Sequence, residues 1–320
     1  MISTRKVRRI VSGATLTATA LTLTTSCGGG PGTATADGGK ARVIGAFYPM
    51  AWIAERVGGA SVSVHGLTKP GAEPHDLELT PRQVAEVGEA KYVVYVKGVQ
   101  PAVDEAVAQH AKGRSLDAAS VVKTLPPAEA EAEHGEEEHG EEEHGHETSY
   151  DPHIWLDPSR LATIATTLGD RLADVDSAHA AEYRANAASL NAELNALDRE
   201  FASGLRQCGQ KTFVTSHAAF GYLADRYGVT QVSIAGVDPQ NEPSPKRLAE
   251  LTRVVRDNKV STIFTETLVS PKVAQTLARE AGVRTASLDP LEGVAEGSKD
   301  DYLSVMRRNL QALRTALSCT

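Results

Sequence analysis

Three histidines lie beside prolines or at strand ends, where imidazoles from different parts of the chain can meet. His75 lies in PGAEPHD, a proline-stiffened loop after a strand, and His153 lies between the prolines of DPHIWLDP. His217 ends the predicted strand in TFVTSH, and Asp289 follows another strand in SLDPL. Ligands of open α/β sheets collect at the carboxyl ends of strands. Three neutral imidazoles and one carboxylate suit a tetrahedral zinc ion.

The histidines outside special settings are expected to do no chemistry. His65 lies in a strand, and His110 and His179 lie on predicted solvated helix faces. No HExxH sequence of a zinc hydrolase is present, and four protein ligands leave no open position for catalysis. We therefore predict a binding protein and not an enzyme.

A second histidine-rich feature is the acidic tract EHGEEEHGEEEHGHE, which spans 133–147. Its charge density and glycine content cannot build a core. Two interpretations remain open, a merely solvated acidic loop and an auxiliary region that binds zinc weakly and raises its local concentration. In the second interpretation the tract's imidazoles are auxiliary metal ligands: His134, His139, His144 and His146.

Alternating strand and helix patterns predict an α/β fold with mostly parallel sheets. From Ala41 the alternation runs to the acidic tract, and it resumes near Lys211. Between them, apolar residues spaced 4, 3, 4 and 4 apart predict a long amphipathic helix: Leu190, Leu194, Leu197, Phe201 and Leu205. We predict two αβ lobes, 41–178 with a disordered insertion over 129–148 and 208–320, joined by one backbone helix over 179–207.

The amino terminus predicts export across a membrane. Residues 1–26 combine the basic stretch RKVRR with an apolar, Thr-rich run too short to span a bilayer. The run ends at Cys27, which suits lipidation, although Thr24 stands where a lipidation signal usually has Leu. A plain secretory signal with an incidental cysteine is the alternative. The glycine-rich residues 27–40 predict a flexible tether.

Two further cysteines, Cys208 and Cys319, lie outside the amino-terminal segment. We predict a disulfide between Cys208 and Cys319, which would fix the last helix; two unrelated buried thiols are the alternative.

The negative charge of the chain is concentrated in one segment. Glu129–Glu147 contains ten glutamates and no Lys or Arg, so its charge of −10 exceeds the net charge of −8 of the whole chain. Apart from RKVRR at the amino terminus, the chain has no basic patch, so nucleic acid is not an expected partner.

The motifs GAEPHD, DPHIWLDP, SHAAFGYL and SLDPL together resemble the zinc/manganese (ZnuA-like) solute-binding proteins of bacterial ABC importers. The resemblance runs from about Ala41 to the carboxyl terminus. It implies two αβ lobes on one long helix, with the metal between the lobes at His75, His153, His217 and Asp289. Manganese-type members carry Glu where this chain has His217, which favours zinc. Some zinc members use water or a nearby Glu in the fourth place, for which Glu73 is the candidate.

The resemblance implies an extracytoplasmic zinc-binding protein that delivers Zn²⁺ to a permease and its ATPase. A lipid anchor would hold this protein at the cell membrane, as a monomer. Manganese or other divalent metal import, and a surface zinc buffer or adhesin, are the alternatives. Because imidazoles bind metal only when neutral, we expect affinity to fall below about pH 6.5.

Overall fold

The amino-terminal half builds a four-stranded parallel sheet in the order β2-β1-β3-β4. Its strands are β1 (Ala41–Gly45), β2 (Val62–Gly66), β3 (Tyr92–Tyr95) and β4 (Ser115–Asp117). The helices between them are α1 (Tyr48–Gly58), α2 (Pro81–Glu89) and α3 (Pro101–His110). Successive residues Val43 and Ile44, like Val93 and Val94, are fully buried. Helices therefore cover both faces of this sheet, which explains the uninterrupted apolar runs of its central strands.

The carboxy-terminal half repeats this order as β6-β5-β7-β8. Its strands are β5 (Thr212–Thr215), β6 (Thr230–Ser233), β7 (Thr262–Thr265) and β8 (Arg284–Ser287), with all pairs parallel. Its helices are α6 (Gly221–Tyr227), α7 (Pro245–Asp257), α8 (Lys272–Ala281) and α9 (Tyr302–Ala316). Asp301 caps α9 with a capping box to Ser304, which fixes where the last helix begins.

Two long helices, α4 (Pro158–Val175) and α5 (Ala180–Gly204), connect the sheets. The apolar face predicted for the linking helix is buried on α5 at Leu190, Leu194, Leu197 and Phe201. A Cβ on Gly169 of α4 would lie 2.9 Å from Ala187 Cβ. The two helices thus approach closely because position 169 has no side chain. The predicted fold class, two parallel α/β lobes joined by a long helix, is confirmed.

The predicted disulfide between Cys208 and Cys319 is present. It joins the segment after α5 to the end of the chain, and Thr320 N also donates to Gln207 O at 3.0 Å. Farther along the same helices, Arg307 of α9 forms a two-point ion pair with Glu200 of α5. The last helix is therefore fastened to the linking helix at two levels.

The computed structural model describes residues 39–127, 149–240 and 243–320. The predicted signal peptide, Cys27, the first part of the tether and the whole His/Glu insertion lie outside these ranges. Over the described ranges, no helix has the length and apolar character needed to cross a membrane. The lobe boundaries given above stay predictions.

Candidate metal centre

Four side chains from both lobes converge on one point. One ligand atom from each of His75, His153, His217 and Glu292 lies within 4.8 Å of the other three. Glu292 Oε1 is 3.4 Å from His75 Nε2, 3.3 Å from His153 Nε2 and 3.1 Å from His217 Nε2. Two of the histidines and the carboxylate are almost fully buried, and His75 is the least enclosed. The group is therefore preassembled away from bulk water.

The distances from the carboxylate oxygen to the three nitrogens are close to the edge length of a zinc tetrahedron. Zinc–nitrogen bonds of about 2.0–2.1 Å place the corners of a tetrahedron roughly 3.3–3.4 Å apart. The three oxygen-to-nitrogen distances, 3.1–3.4 Å, are close to that edge length. His153 Nε2 is buried and has no hydrogen-bond partner among the described residues. A cation accepting its lone pair would satisfy this atom.

Asp151 orients the ring of His153. Asp151 Oδ1 is 2.7 Å from His153 Nδ1 and also accepts from the backbone N–H of His153 at 2.9 Å. A proton held on Nδ1 leaves the Nε2 lone pair directed at the shared point. The backbone oxygen of Asp151 accepts from Tyr222 in the other lobe at 2.6 Å. A Cβ on Gly221 would lie 2.6 Å from Asp151 Oδ2, so position 221 must lack a side chain for the lobes to meet here.

Glu266 has the same role for His217. It follows β7 directly, and its Oε2 lies 2.7 Å from His217 Nδ1. Its other oxygen accepts from the backbone N–H of His217 at 3.0 Å. His217 comes two residues after β5, so the ends of two neighbouring strands fix both residues. Each of these two histidines thus has a carboxylate on the nitrogen that faces away from the shared point.

Charge within the buried group sets its proton affinity. Burial alone would lower the pKa of His217, but Glu266 and Glu292 outweigh it and raise that pKa well above the usual value. Burial would raise the pKa of Glu292, but the three histidines outweigh it and hold that pKa well below the usual value. The carboxylate is therefore ionised, and a proton on His217 competes with any metal ion.

Glu73, expected as an alternative ligand, forms hydrogen bonds within its own loop. Both of its carboxylate oxygens accept from the backbone N–H of His75 at 3.1 Å. Burial raises its pKa. Glu73 does not belong to the converging group, and it holds the loop that presents His75.

Asp289, expected as the fourth ligand, is also absent from the converging group, and Glu292 stands there instead. The carboxylate of Asp289 accepts from the backbone N–H of Leu291 at 2.8 Å and from the Thr267 hydroxyl at 3.2 Å. Its oxygens are therefore engaged by the loop after β8 and by Thr267, which follows β7. The converging group thus contains the carboxylate three residues farther along the chain, and a ligand role for Asp289 stays a prediction.

Residue patterns found the three histidines but missed three carboxylates. Glu292 lies just beyond SLDPL, Asp151 begins DPHIWLDP, and Glu266 directly follows the strand that ends TIFT. The sequence carried one usable signal, because Glu266 occupies a strand end in the same way as His217. Of the histidines expected to be ordinary, His179 is 2.8 Å from Asp176 on the surface and outside the converging group.

Contacts across the lobes surround the site. Trp155, two residues after His153, donates through Nε1 to Pro290 O at 2.8 Å. The backbone oxygen of Trp155 accepts from the Tyr302 hydroxyl at 2.6 Å, and Tyr302 stacks on Trp52 at 4.9 Å. The segment that carries His153 is thereby bonded to the carboxy-terminal lobe through both the side chain and the backbone of Trp155.

Two parallel α/β lobes on a long helix, with a buried ligand group between them, define a solute-binding protein of the metal-binding type. The chain belongs to the family described as zinc-uptake complex component A, periplasmic, which it matches over residues 43–316. It is 39% identical to the zinc-binding lipoprotein AdcA of Streptococcus pneumoniae serotype 4 over 285 residues, covering 86% of this chain and 56% of AdcA. The chain thus spans about half the length of this curated relative.

The chain is also similar to a second zinc uptake protein and to a solved zinc-bound domain, and it covers at least nine-tenths of each. The high-affinity zinc uptake system protein ZnuA of Bacillus subtilis is 33% identical, over 89% of this chain and 90% of ZnuA. The Zn(II)-bound ZnuA-like domain of Streptococcus pneumoniae AdcA has a similar structure, with a TM-score of 0.72 and 35% identity. That match covers 87% of this chain and 99% of the domain.

Proposed function

We propose that this chain captures Zn²⁺ between its lobes and delivers it to the permease of an ABC importer. The ligands are Nε2 of His75, His153 and His217 and a carboxylate oxygen of Glu292. The observation that carries the proposal is the convergence of these four atoms within 4.8 Å in a buried place. Carboxylates behind His153 and His217 orient the rings for a cation.

The donor set favours zinc over manganese or calcium. Imidazole nitrogen suits zinc, whereas manganese and calcium take oxygen-rich sites with more than four ligands. Three of the four converging atoms are nitrogens, and the oxygen-to-nitrogen distances match a zinc tetrahedron. A full set of protein ligands also favours binding and release over catalysis, which needs an open position.

The location and partners extend the same proposal. The chain works outside the cytoplasmic membrane, held there by a lipid on Cys27, as a monomer that docks on a permease with its ATPase. The family description names a periplasmic component of an uptake complex, and the AdcA relative is named a lipoprotein. The His/Glu tract serves as an auxiliary capture region that concentrates zinc near the cleft.

Metal titration of the purified mature chain tests the site. We expect tight zinc binding in competition with a chelator, and a loss of about a hundredfold or more in Glu292→Gln, because a charged ligand is removed. A chain lacking 129–148 is the matched control and keeps its tight site. Tight binding that disappeared with the tract and survived Glu292→Gln would overturn the site.

Deletion of the gene in the source organism tests transport. We expect slower growth under zinc starvation, restored by added zinc or by the unmodified gene but not by the Glu292→Gln variant. Normal growth and normal zinc uptake, together with reduced attachment to host surfaces, would favour the adhesin alternative over import.

A further inference from the structure

The loop after β8 contains two carboxylates, and only one of them faces the histidines. Asp289 and Glu292 are three residues apart; Glu292 is buried and Asp289 is partly buried. The proposed function uses Glu292 and leaves Asp289 without a role. Asp289 contacts the backbone N–H of Leu291 in its own loop, the Thr267 hydroxyl and the side chain of Asn309.

The side chain of Asp289 stabilises the turn over residues 289–291 by a hydrogen bond within that turn. Its Oδ1 accepts from the backbone N–H of Leu291 at 2.8 Å, two residues on, which is an Asx turn. Leu291 has φ of +58°, a left-handed conformation that is unfavourable for a residue with a Cβ. Such a conformation persists only where surrounding contacts fix it. The bond from Asp289 is one of those contacts, and the buried Leu291 side chain is another.

Asn309, on helix α9, stabilises the same turn through hydrogen bonds to the backbone of Asp289. Its Oδ1 accepts from the backbone N–H of Asp289 at 2.9 Å, and its Nδ2 donates to the backbone oxygen of Asp289 at 2.6 Å. This paired bonding uses both polar atoms of a nearly fully buried amide. Pro290 O, the next acceptor along the loop, receives the indole N–H of Trp155 at 2.8 Å. Successive residues of the turn are therefore fixed by different elements of the fold.

Glu292 emerges immediately after these fixed points. Its other flank is also restricted, since a Cβ on Gly293 would lie 3.0 Å from Leu268 Cδ1 and 3.3 Å from Ala72 O. Val294 O then accepts from Gly71 N at 2.8 Å, which ties the loop to the loop that carries His75. The direction of the Glu292 side chain is thus set by the turn before it and by close packing after it.

We propose that Asp289, held by Asn309, is a positioning residue that sets the left-handed turn at Leu291 and so aims Glu292 at the metal. This inference rests on the proposed zinc site. It differs from a ligand role for Asp289 in one chemical respect. A ligand at that position must supply negative charge to the metal, whereas a positioning residue must only accept a hydrogen bond from Leu291 N.

The substitutions Asp289→Asn and Asp289→Ala separate these roles. Asparagine keeps an oxygen acceptor and favours the same turn, so we expect Asp289→Asn to bind zinc within about threefold of the unmodified chain. Alanine removes the acceptor, and we expect affinity to fall by about 10- to 100-fold, the range for residues that orient ligands. Asn309→Ala, which cannot touch the metal, is expected to weaken binding in the same range.

A cobalt spectrum reports whether Glu292 is displaced. We expect the visible Co²⁺ absorption bands of Asp289→Asn to match those of the unmodified chain, and those of Asp289→Ala and Asn309→Ala to change. Asp198→Ala is the matched stability control. It removes an acceptor of Arg226 and Tyr227 outside the converging group, and we expect unchanged affinity and bands.

Each contrary result is distinct. Equal losses in Asp289→Asn and Asp289→Ala, with an altered spectrum in both, would make Asp289 a ligand and overturn the inference. Unchanged binding in Asp289→Ala would remove any role for the turn. If Asp289→Ala fails to fold, Asn309→Ala and Asp289→Asn decide between the same outcomes. Failure of the proposed function itself is seen separately, because the unmodified chain would not bind zinc, and the inference would fall with it.

Discussion

Glu292 Oε1 lies 3.1 Å from His217 Nε2, and both side chains are buried. The carboxylate of Glu266 contacts the other nitrogen of the same ring at 2.7 Å. His217 thus lies between two carboxylates, one at each ring nitrogen. This arrangement binds either a proton or a metal ion tightly at Nε2, and the two compete for one lone pair.

The first prediction concerns pH. Because Glu266 and Glu292 raise the pKa of His217 well above its usual value despite burial, the metal-free chain keeps this proton near neutral pH. Zinc must displace it, so apparent affinity falls by about tenfold per pH unit below the raised pKa. The decline therefore begins at a higher pH than the ordinary histidine value of about 6.5. Chelator competition between pH 5.5 and 8.5 measures it, and a constant affinity from pH 6 to 8 would contradict it.

In the metal-free chain, the proton on His217 stabilises the fold at low pH, whereas zinc affinity decreases at low pH. A raised pKa in the folded state means that His217 contributes stability fully below its unfolded pKa, and this contribution disappears as pH rises through the folded pKa. The lowered pKa of Glu292 gives a contribution that is present above its unfolded pKa and disappears as pH falls through the folded one. Added zinc should consequently raise Tm more at pH 8 than at pH 6. Equal shifts at both values would argue against displacement of a proton.

The second prediction concerns Gly221. An alanine Cβ there would lie 2.6 Å from Asp151 Oδ2, so Gly221→Ala must displace the carboxylate that orients His153. We expect zinc affinity to fall by about tenfold, as for loss of a residue behind a metal ligand. Gly88→Ala is the matched control, because its nearest neighbour would be a side chain at 3.7 Å. Isothermal titration measures both variants, and an equal loss in Gly88→Ala would show a general effect on folding.

The third prediction concerns metal choice. His217→Glu replaces an imidazole by a carboxylate, which makes the site richer in oxygen and favours manganese over zinc. We expect zinc affinity to fall by more than about tenfold and the ratio of manganese to zinc affinity to rise. Adding Glu266→Gln removes the repulsion between the new carboxylate and Glu266, and should recover part of the manganese affinity. An unchanged ratio of manganese to zinc affinity in both variants would contradict the prediction.

The fourth prediction concerns the disulfide. It closes a loop with a sequence separation of 111 between Cys208 and Cys319. In the chain-entropy model, its removal costs about 4–5 kcal/mol of unfolding free energy. The double variant Cys208→Ser, Cys319→Ser should show this loss in denaturant unfolding without metal, while its zinc affinity stays unchanged. The unmodified chain under reducing conditions is the control and should lose the same amount; a loss below about 1 kcal/mol would contradict the model.

The parts of this protein that could be predicted from sequence are those set by local patterns. Apolar spacing located the linking helix, since Leu190, Leu194 and Leu197 repeat on one face and are fully buried. Strand β4, three residues long, has no such pattern, because Ser115, Leu116 and Asp117 form no apolar run. Its place at the sheet edge comes from pairing with β3, which is a contact between distant parts of the chain.

The choice between Asp289 and Glu292 lay beyond sequence reasoning for a physical reason. Both are carboxylates shortly after β8, and only the backbone path decides which one reaches the histidines. That path depends on a left-handed Leu291, a conformation that leucine's own propensity disfavours. Asn309, twenty residues farther along the chain, supplies the bonds that hold Asp289. The histidines were easier to find because prolines and strand ends mark them locally.

The spread of the site along the chain has a kinetic consequence. Glu292 is 75 residues from His217 and 217 residues from His75, so the four atoms meet only after long-range pairing in both halves. Contacts of this kind form late, because their loop-closure entropy is lost before they bring any gain. Interactions absent from the folding transition state slow unfolding and leave the folding rate almost unchanged. Zinc should therefore prolong the lifetime of the native chain while contributing little to how fast it folds.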